Sequence, residues 1–119
     1  MDHFYSYADL IDDPRLVERI AGDPAIRRAR RLSAAAYRAL LDWDGAREVA
    51  KLGRPLLLVQ GTRDRLQPAQ QTDALFAAAR EPKARVCLDA GHVPTLERPD
   101  ALVDEVLGWL TETSPRSIG

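Results

Sequence analysis

A single cysteine and two histidines are all that the 119 residues offer of the softer metal-binding and redox side chains. Cys87 closes no internal disulfide. With no cysteine pair and only His3 and His92, a zinc or haem ligand set is lacking. Glycine-rich phosphate loops are missing too, so nucleotide cofactors have no support and the expected cofactor is none. Neither sign of charge is in surplus. The formal net charge is −1 and the pI is near 6.1, which argues against the broad basic surfaces of nucleic-acid binders and of proteins held on anionic membranes. No apolar run approaches a membrane span or a signal-peptide core. The expected location is therefore cytoplasmic, with neither nucleic acid nor membrane as a partner.

What remains is the composition of an ordinary globular protein, 45% hydrophobic and 29% charged, of a length suited to one domain. Its organising stretch runs from Arg54 to His92. Pro55-Leu56-Leu57-Leu58-Val59, entered through Gly53, is too short for a free-standing helix and reads as a strand buried on both faces. The polar turn Gln60 to Pro68 places Asp64 just past the strand's carboxyl end, and Pro68 suits the first turn of a helix running to about Arg80. A second strand, Ala84 to Leu88, is bounded by Pro82 before it and Asp89-Ala90-Gly91 after it, and His92 follows directly. Two parallel strands joined by one helix form a right-handed unit of roughly 30 residues, with both carboxyl ends side by side. Asp64 and His92 should therefore meet at one edge of the sheet. Taken singly, each has a plainer reading, Asp64 as a turn or capping aspartate and His92 as a satisfied loop histidine.

Pro55 to Gly61, Thr62-Arg63-Asp64, Asp89-Ala90-Gly91-His92-Val93-Pro94 and Leu96-Glu97-Arg98-Pro99 resemble, in order and spacing, the C-terminal third of the α/β-hydrolase superfamily. The resemblance spans about Asp42 to Leu110. It implies that Asp64 matches the acid and His92 the base of a catalytic triad, in the chain order nucleophile, acid, histidine. The implied fold class is α/β, a partial α/β-hydrolase fold. A helical N-terminal half, a cap remnant, is followed by a βαβα unit with two parallel strands. The nucleophile elbow G-x-S-x-G should lie upstream, and no glycine opens one. Gly22 begins Gly-Asp-Pro-Ala-Ile, Gly45 begins Gly-Ala-Arg-Glu-Val and Gly53 begins Gly-Arg-Pro-Leu-Leu. An oxyanion-hole segment and the early core strands are missing as well. A two-stranded parallel sheet leaves an open edge, where a missing half, a second copy or another partner chain should dock.

The rest of the chain divides around that unit, with a helical cap-like segment at 1–50, the βαβα part at 51–113 and a flexible tail at 114–119. His3, Phe4, Tyr5 and Tyr7 make an aromatic opening that reads as packing. Asp13-Pro14 and Asp23-Pro24 each set an N-cap before a first-turn proline, starting helices from Pro14 to Ala21 and from Pro24 to about Leu41. Ile26, Ala29, Ser33, Ala36, Tyr37 and Leu40 form the inner face of the second helix. Arg27, Arg28, Arg30 and Arg31 wrap around it and read as solvated surface rather than an anion site. By resemblance this half is the end of a cap, whose pocket lining the sequence does not assign even at Tyr37 or Trp43. Asp44 reads as structural, before a short helical link from Arg47 to Leu52. Cys87 reads as a small buried core residue rather than a nucleophile. A last helix, Pro99 to about Thr113, should cover the sheet with Leu102, Val103, Val106, Leu107 and Leu110, with Trp109 at the border of that face.

Three functions follow. The preferred one is the C-terminal part of an α/β hydrolase, esterase-like and acting on an acyl or carbonyl substrate. It would supply Asp64 and His92 and be inactive until the other half completes it and admits a small-molecule substrate. The second is a non-catalytic remnant that forms a homodimer or binds a partner through the open sheet edge. The third, ranked last, is a small lyase or isomerase that uses the Asp64 and His92 pair for proton transfer.

Overall fold

The computed structural model describes residues 6–28, 33–67 and 69–113. Residues 1–5, 29–32, 68 and 114–119 lie outside the described set, and with them His3, Phe4, Tyr5, Arg30, Arg31, Pro68 and the tail; so do the side chains of Arg27, Arg28 and Tyr37.

Short helices make up the N-terminal half: α1 (Tyr7–Leu10), α2 (Pro14–Gly22), α3 (Pro24–Arg28), α4 (Ala34–Leu41) and α5 (Gly45–Val49). Both Asp-Pro pairs start helices as their chemistry requires. The Asp13 carboxylate accepts the Arg15 N–H at 2.9 Å and the Asp23 carboxylate accepts the Ala25 N–H at 2.8 Å. The expected single helix from Pro24 to Leu41 is instead two. Ser33 has extended backbone, and its hydroxyl accepts the Ala36 N–H at 3.1 Å. A serine there satisfies one of the free N–H groups that begin a new helix, so it starts α4 rather than continuing α3. Asp44 caps α5 in the same way, accepting the Arg47 N–H at 3.0 Å.

The C-terminal half runs β1 (Leu56–Gly61), α6 (Ala69–Ala78), β2 (Lys83–Leu88), α7 (Pro94–Glu97) and α8 (Pro99–Thr113). The strands pair in parallel, Leu56 beside Lys83 through to Gly61 beside Leu88, and α6 makes the crossover. Gln60 and Gly61, read from the sequence as turn residues, belong to β1 because Cys87 and Leu88 extend the ladder to meet them.

Burial is confined to one end of this sheet. Among the described residues, Ile11, Ala79, Leu88 and Ala90 are the buried hydrophobic ones, and Gln60 and Gly61 are the buried positions of β1. The expectation of a strand buried on both faces is thus corrected. From Leu56 to Val59 the strand is only half-covered, since among the described residues a two-stranded sheet with one crossover helix lacks the layers that would enclose it. Cys87, expected in the core, is exposed for the same reason. Nor does α8 bury its apolar stripe: Val103, Leu107 and Leu110 are exposed, whereas Leu102, Val106 and Trp109 are half-buried. The radius of gyration, 16.8 Å, exceeds the roughly 13–14 Å of a compact domain of this length.

These environments set a contrast in stability. Leu88→Ala, at a buried position, should cost about 2–5 kcal/mol. Leu107→Ala, at a side chain 57% exposed, should cost less than about 1 kcal/mol. Urea unfolding of the two variants checks the difference, and equal losses would mean that α8 is covered in solution.

Candidate functional site

The carboxyl ends of β1 and β2 hold the site, where the turn after one strand meets the loop after the other. Thr62 N–H donates to the Leu88 carbonyl at 2.8 Å and Arg63 N–H to the Ala90 carbonyl at 2.9 Å, which ties the turn after β1 to the loop after β2. The side chain of the next residue, Asp64, turns inward, only 8% exposed. Its Oδ1 accepts the N–H groups of Leu66 and Gln67, each at 2.9 Å, and its Oδ2 lies 2.8 Å from His92 Nδ1. The two residues singled out by strand-end reasoning are in direct contact.

Burial pushes the Asp64 carboxyl up, but hydrogen bonds from the Gln67 N–H, from His92 and from the Leu66 N–H outweigh it and hold the group below its ordinary value of 3.8. The anion is the resting form at neutral pH, so Nδ1 of His92 is the protonated, donating nitrogen. In the neutral imidazole Nε2 is then the accepting nitrogen, and it makes no hydrogen bond to a described residue. The imidazole is 31% exposed and, with Asp64, lines a depression between the carboxyl half of β1 and the residues Gln67, Thr72, Leu75 and Pro94. Such an imidazole can take a proton at Nε2 while the carboxylate holds the other nitrogen.

A carboxyl that is more acidic in the folded chain than in the unfolded one stabilises the fold above its unfolded pKa, and that contribution disappears as pH falls through the folded value. Wild-type stability should therefore decline below about pH 4. Asp64→Asn should be less stable at neutral pH and show a shallower decline on the acid side, as measured by urea midpoints at stepped pH.

Sequence reasoning missed the support around this pair. The N-terminal segment from Ala8 to Asp13 crosses the two loops as a strap. Leu10 accepts the His92 N–H at 2.8 Å through its carbonyl, and Ile11 is buried. Asp12 sits between two arginines of the acid turn, with Oδ2 2.5 Å from Arg63 Nε and Oδ1 3.2 Å from Arg65 Nη1. Arg63 also pairs with Asp89, and Arg65 donates to the Ala8 carbonyl. Glu97, at the end of α7, accepts the N–H groups of Asp12 and of Gly91, and that of Asp13 at 3.0 Å. The Glu97 carboxylate thus joins the strap to the histidine loop. The pattern Leu96-Glu97-Arg98-Pro99 marked the place without disclosing these partners, most of which lie more than eighty residues away in the chain.

Trp43 is exposed and does not line the depression. Among the described residues no group of His, Cys, Asp and Glu side chains is arranged to hold a metal ion, and no helix is long and apolar enough to cross a membrane.

Residues 2–105 match the model of the Alpha/beta hydrolase family. Among solved structures, the crystal structure of a hydrolase from Pseudomonas aeruginosa PA01 is similar, with a TM-score of 0.60 and 27% sequence identity over 82% of this chain. The match covers 39% of that protein, so this chain spans well under half the length of its structural neighbour. No curated protein gives a significant match.

Proposed function

From the premise that this chain belongs to the alpha/beta hydrolase family, we propose that it supplies the acid, Asp64, and the base, His92, of a Ser-His-Asp triad whose nucleophile lies on sequence outside these residues. The reading is carried by one observation, the 2.8 Å hydrogen bond between His92 Nδ1 and the buried Asp64 carboxylate, at a depression that both residues line. In the completed site Nε2 takes the proton of the attacking serine and then returns it to the leaving group. Asp64 keeps the imidazole in the required tautomer and stabilises the imidazolium while it exists. The substrate class is an acyl or carbonyl compound, with a simple ester as the first to try. The division into a cap-like segment at 1–50 and a core part at 51–113 belongs to the same proposal, as does inactivity of these residues without the other half.

The test is the intact mass of the native protein that carries this C-terminus, together with its labelling by a fluorophosphonate probe. A mass more than twice the 13.2 kDa of this chain, with the probe on a serine outside these residues, is the expected result. A native mass of 13.2 kDa with no labelling would overturn it.

The exposed stripe of Val103, Leu107 and Leu110, together with the unpaired edge of the sheet among the described residues, favours a second reading, a non-catalytic remnant that dimerises. A stable dimer of the 119-residue chain without probe labelling would support it over the first.

A further inference from the structure

His92 is fixed at three points. Its ring is held by Asp64, its own N–H by the Leu10 carbonyl, and the N–H of the preceding residue, Gly91, by Glu97. Glu97 also receives the N–H groups of Asp12 and Asp13 from the strap that carries Leu10. One carboxylate therefore governs two of the three points, one directly and one through the strap. All three of its partners are backbone donors, and only a group with two accepting oxygens can serve them together. The packing leaves no slack at this joint: a Cβ built on Gly91 would stand 3.0 Å from the Leu10 oxygen, 3.2 Å from the Asp12 nitrogen and 3.3 Å from Glu97 Oε2.

We propose that Glu97 is a positioning residue for His92, whose carboxylate clamps the Gly91 and Asp12 N–H groups and so sets where the imidazole stands against Asp64. The proposal rests on the reading of His92 as the catalytic base, but the clamp itself can be measured without catalysis. Glu97→Gln turns one accepting oxygen into a donating NH₂ that faces backbone donors. The loop must then shift, and the Nδ1 to Oδ2 contact lengthens with it. A misplacement of about 1 Å costs on the order of 10²-fold in rate, and the loss falls on kcat rather than KM, because the substrate's own contacts are untouched.

The chain holds two histidines, so ¹⁵N labelling of the imidazoles reads His92 directly. In Glu97→Gln the ratio of the Nδ1-protonated to the Nε2-protonated tautomer of His92 should fall about fivefold, the equivalent of one ordinary hydrogen bond. Glu97→Asp keeps both oxygens but draws them back by one methylene; it should fall between wild type and Gln, and carries the same readout where Gln fails to fold. A lowered melting temperature with an unchanged tautomer ratio would overturn the proposal, since a merely structural residue would act in that way. In the completed hydrolase, kcat should drop by about 10²-fold in Glu97→Gln. If the tautomer ratio responds while wild type and His92→Ala hydrolyse esters equally poorly, the clamp stands and the triad reading fails. If His92→Ala abolishes activity and Glu97→Gln leaves both ratio and kcat unchanged, the triad stands and the clamp fails.

Discussion

Replacing His92 with alanine should lower kcat of the completed hydrolase by about 10⁶-fold, and Asp64→Asn should lower it by about 10⁴-fold, with little change in KM. The inequality follows from the geometry. In the proposed triad His92 is the group, among the described residues of the site, with a nitrogen at which the nucleophile's proton would arrive, so its loss would remove the proton transfer itself. Asp64 acts one bond further back. With asparagine in its place, the amide oxygen can still receive the Leu66 and Gln67 N–H groups, but the NH₂ then faces Nδ1 and reverses the tautomer, leaving a protonated Nε2 where an acceptor is needed. The two losses should not add, because both disable the same transfer. The double variant should be no slower than His92→Ala. Steady-state kinetics on an activated ester decides the matter: a fall of less than about tenfold in His92→Ala would be too small for a general base and would remove His92 from the mechanism.

A second large effect is expected at Gly61, where the limit is steric. This glycine ends β1, and a Cβ there would overlap the carbonyl oxygens of Gly91 and Ala90 and stand 2.9 Å from the Ala90 carbonyl carbon. Each of these is a backbone atom of the histidine loop, and no side chain can swing aside to make room. Alanine at 61 should therefore cost about 3 kcal/mol and valine more, a large part of the total stability of a domain this size. The damage is also functional, since separating Gly61 from Ala90 breaks the register set by Thr62 and Arg63 and carries Asp64 away from His92. Gly108 is the counterpart. It lies inside α8 with open space where a Cβ would go, so Gly108→Ala should raise stability by about 0.5–1 kcal/mol. Urea unfolding of the two alanine variants gives opposite signs if this account holds, and a mild effect at Gly61 would sink it.

The parts of the fold that could be read from the residues were those fixed by local chemistry. Asp-Pro pairs start helices wherever they occur, Pro99 to Thr113 has a helical period, and two short apolar runs with a helix between them must end at the same edge. That last step brought Asp64 and His92 together without any knowledge of a third dimension. Ser33 fits the apolar period of a single helix by its spacing, yet its hydroxyl caps α4, a local chemistry that outweighs the period. Other features depend on partners that the sequence does not name. The exposure of Cys87 and of Leu107 reflects what is not packed against them. Glu97 receives backbone N–H groups, which leave no mark on residue identity, and Asp12 and Arg63 pair with each other across a long stretch of chain.

The strap from Ala8 to Asp13 bears on how such a protein could be divided and reassembled. Fragment complementation would naturally be attempted with a cut near residue 50, between the helical half and the strands. A fragment starting there would keep Asp64, His92 and Glu97, yet it would lack the Leu10 carbonyl, the Asp12 carboxylate and the two N–H groups that Glu97 receives from Asp12 and Asp13. Cutting ahead of Ser6 retains all of them. The shortest piece able to deliver a correctly aimed imidazole to a separately made nucleophile therefore begins before the strap.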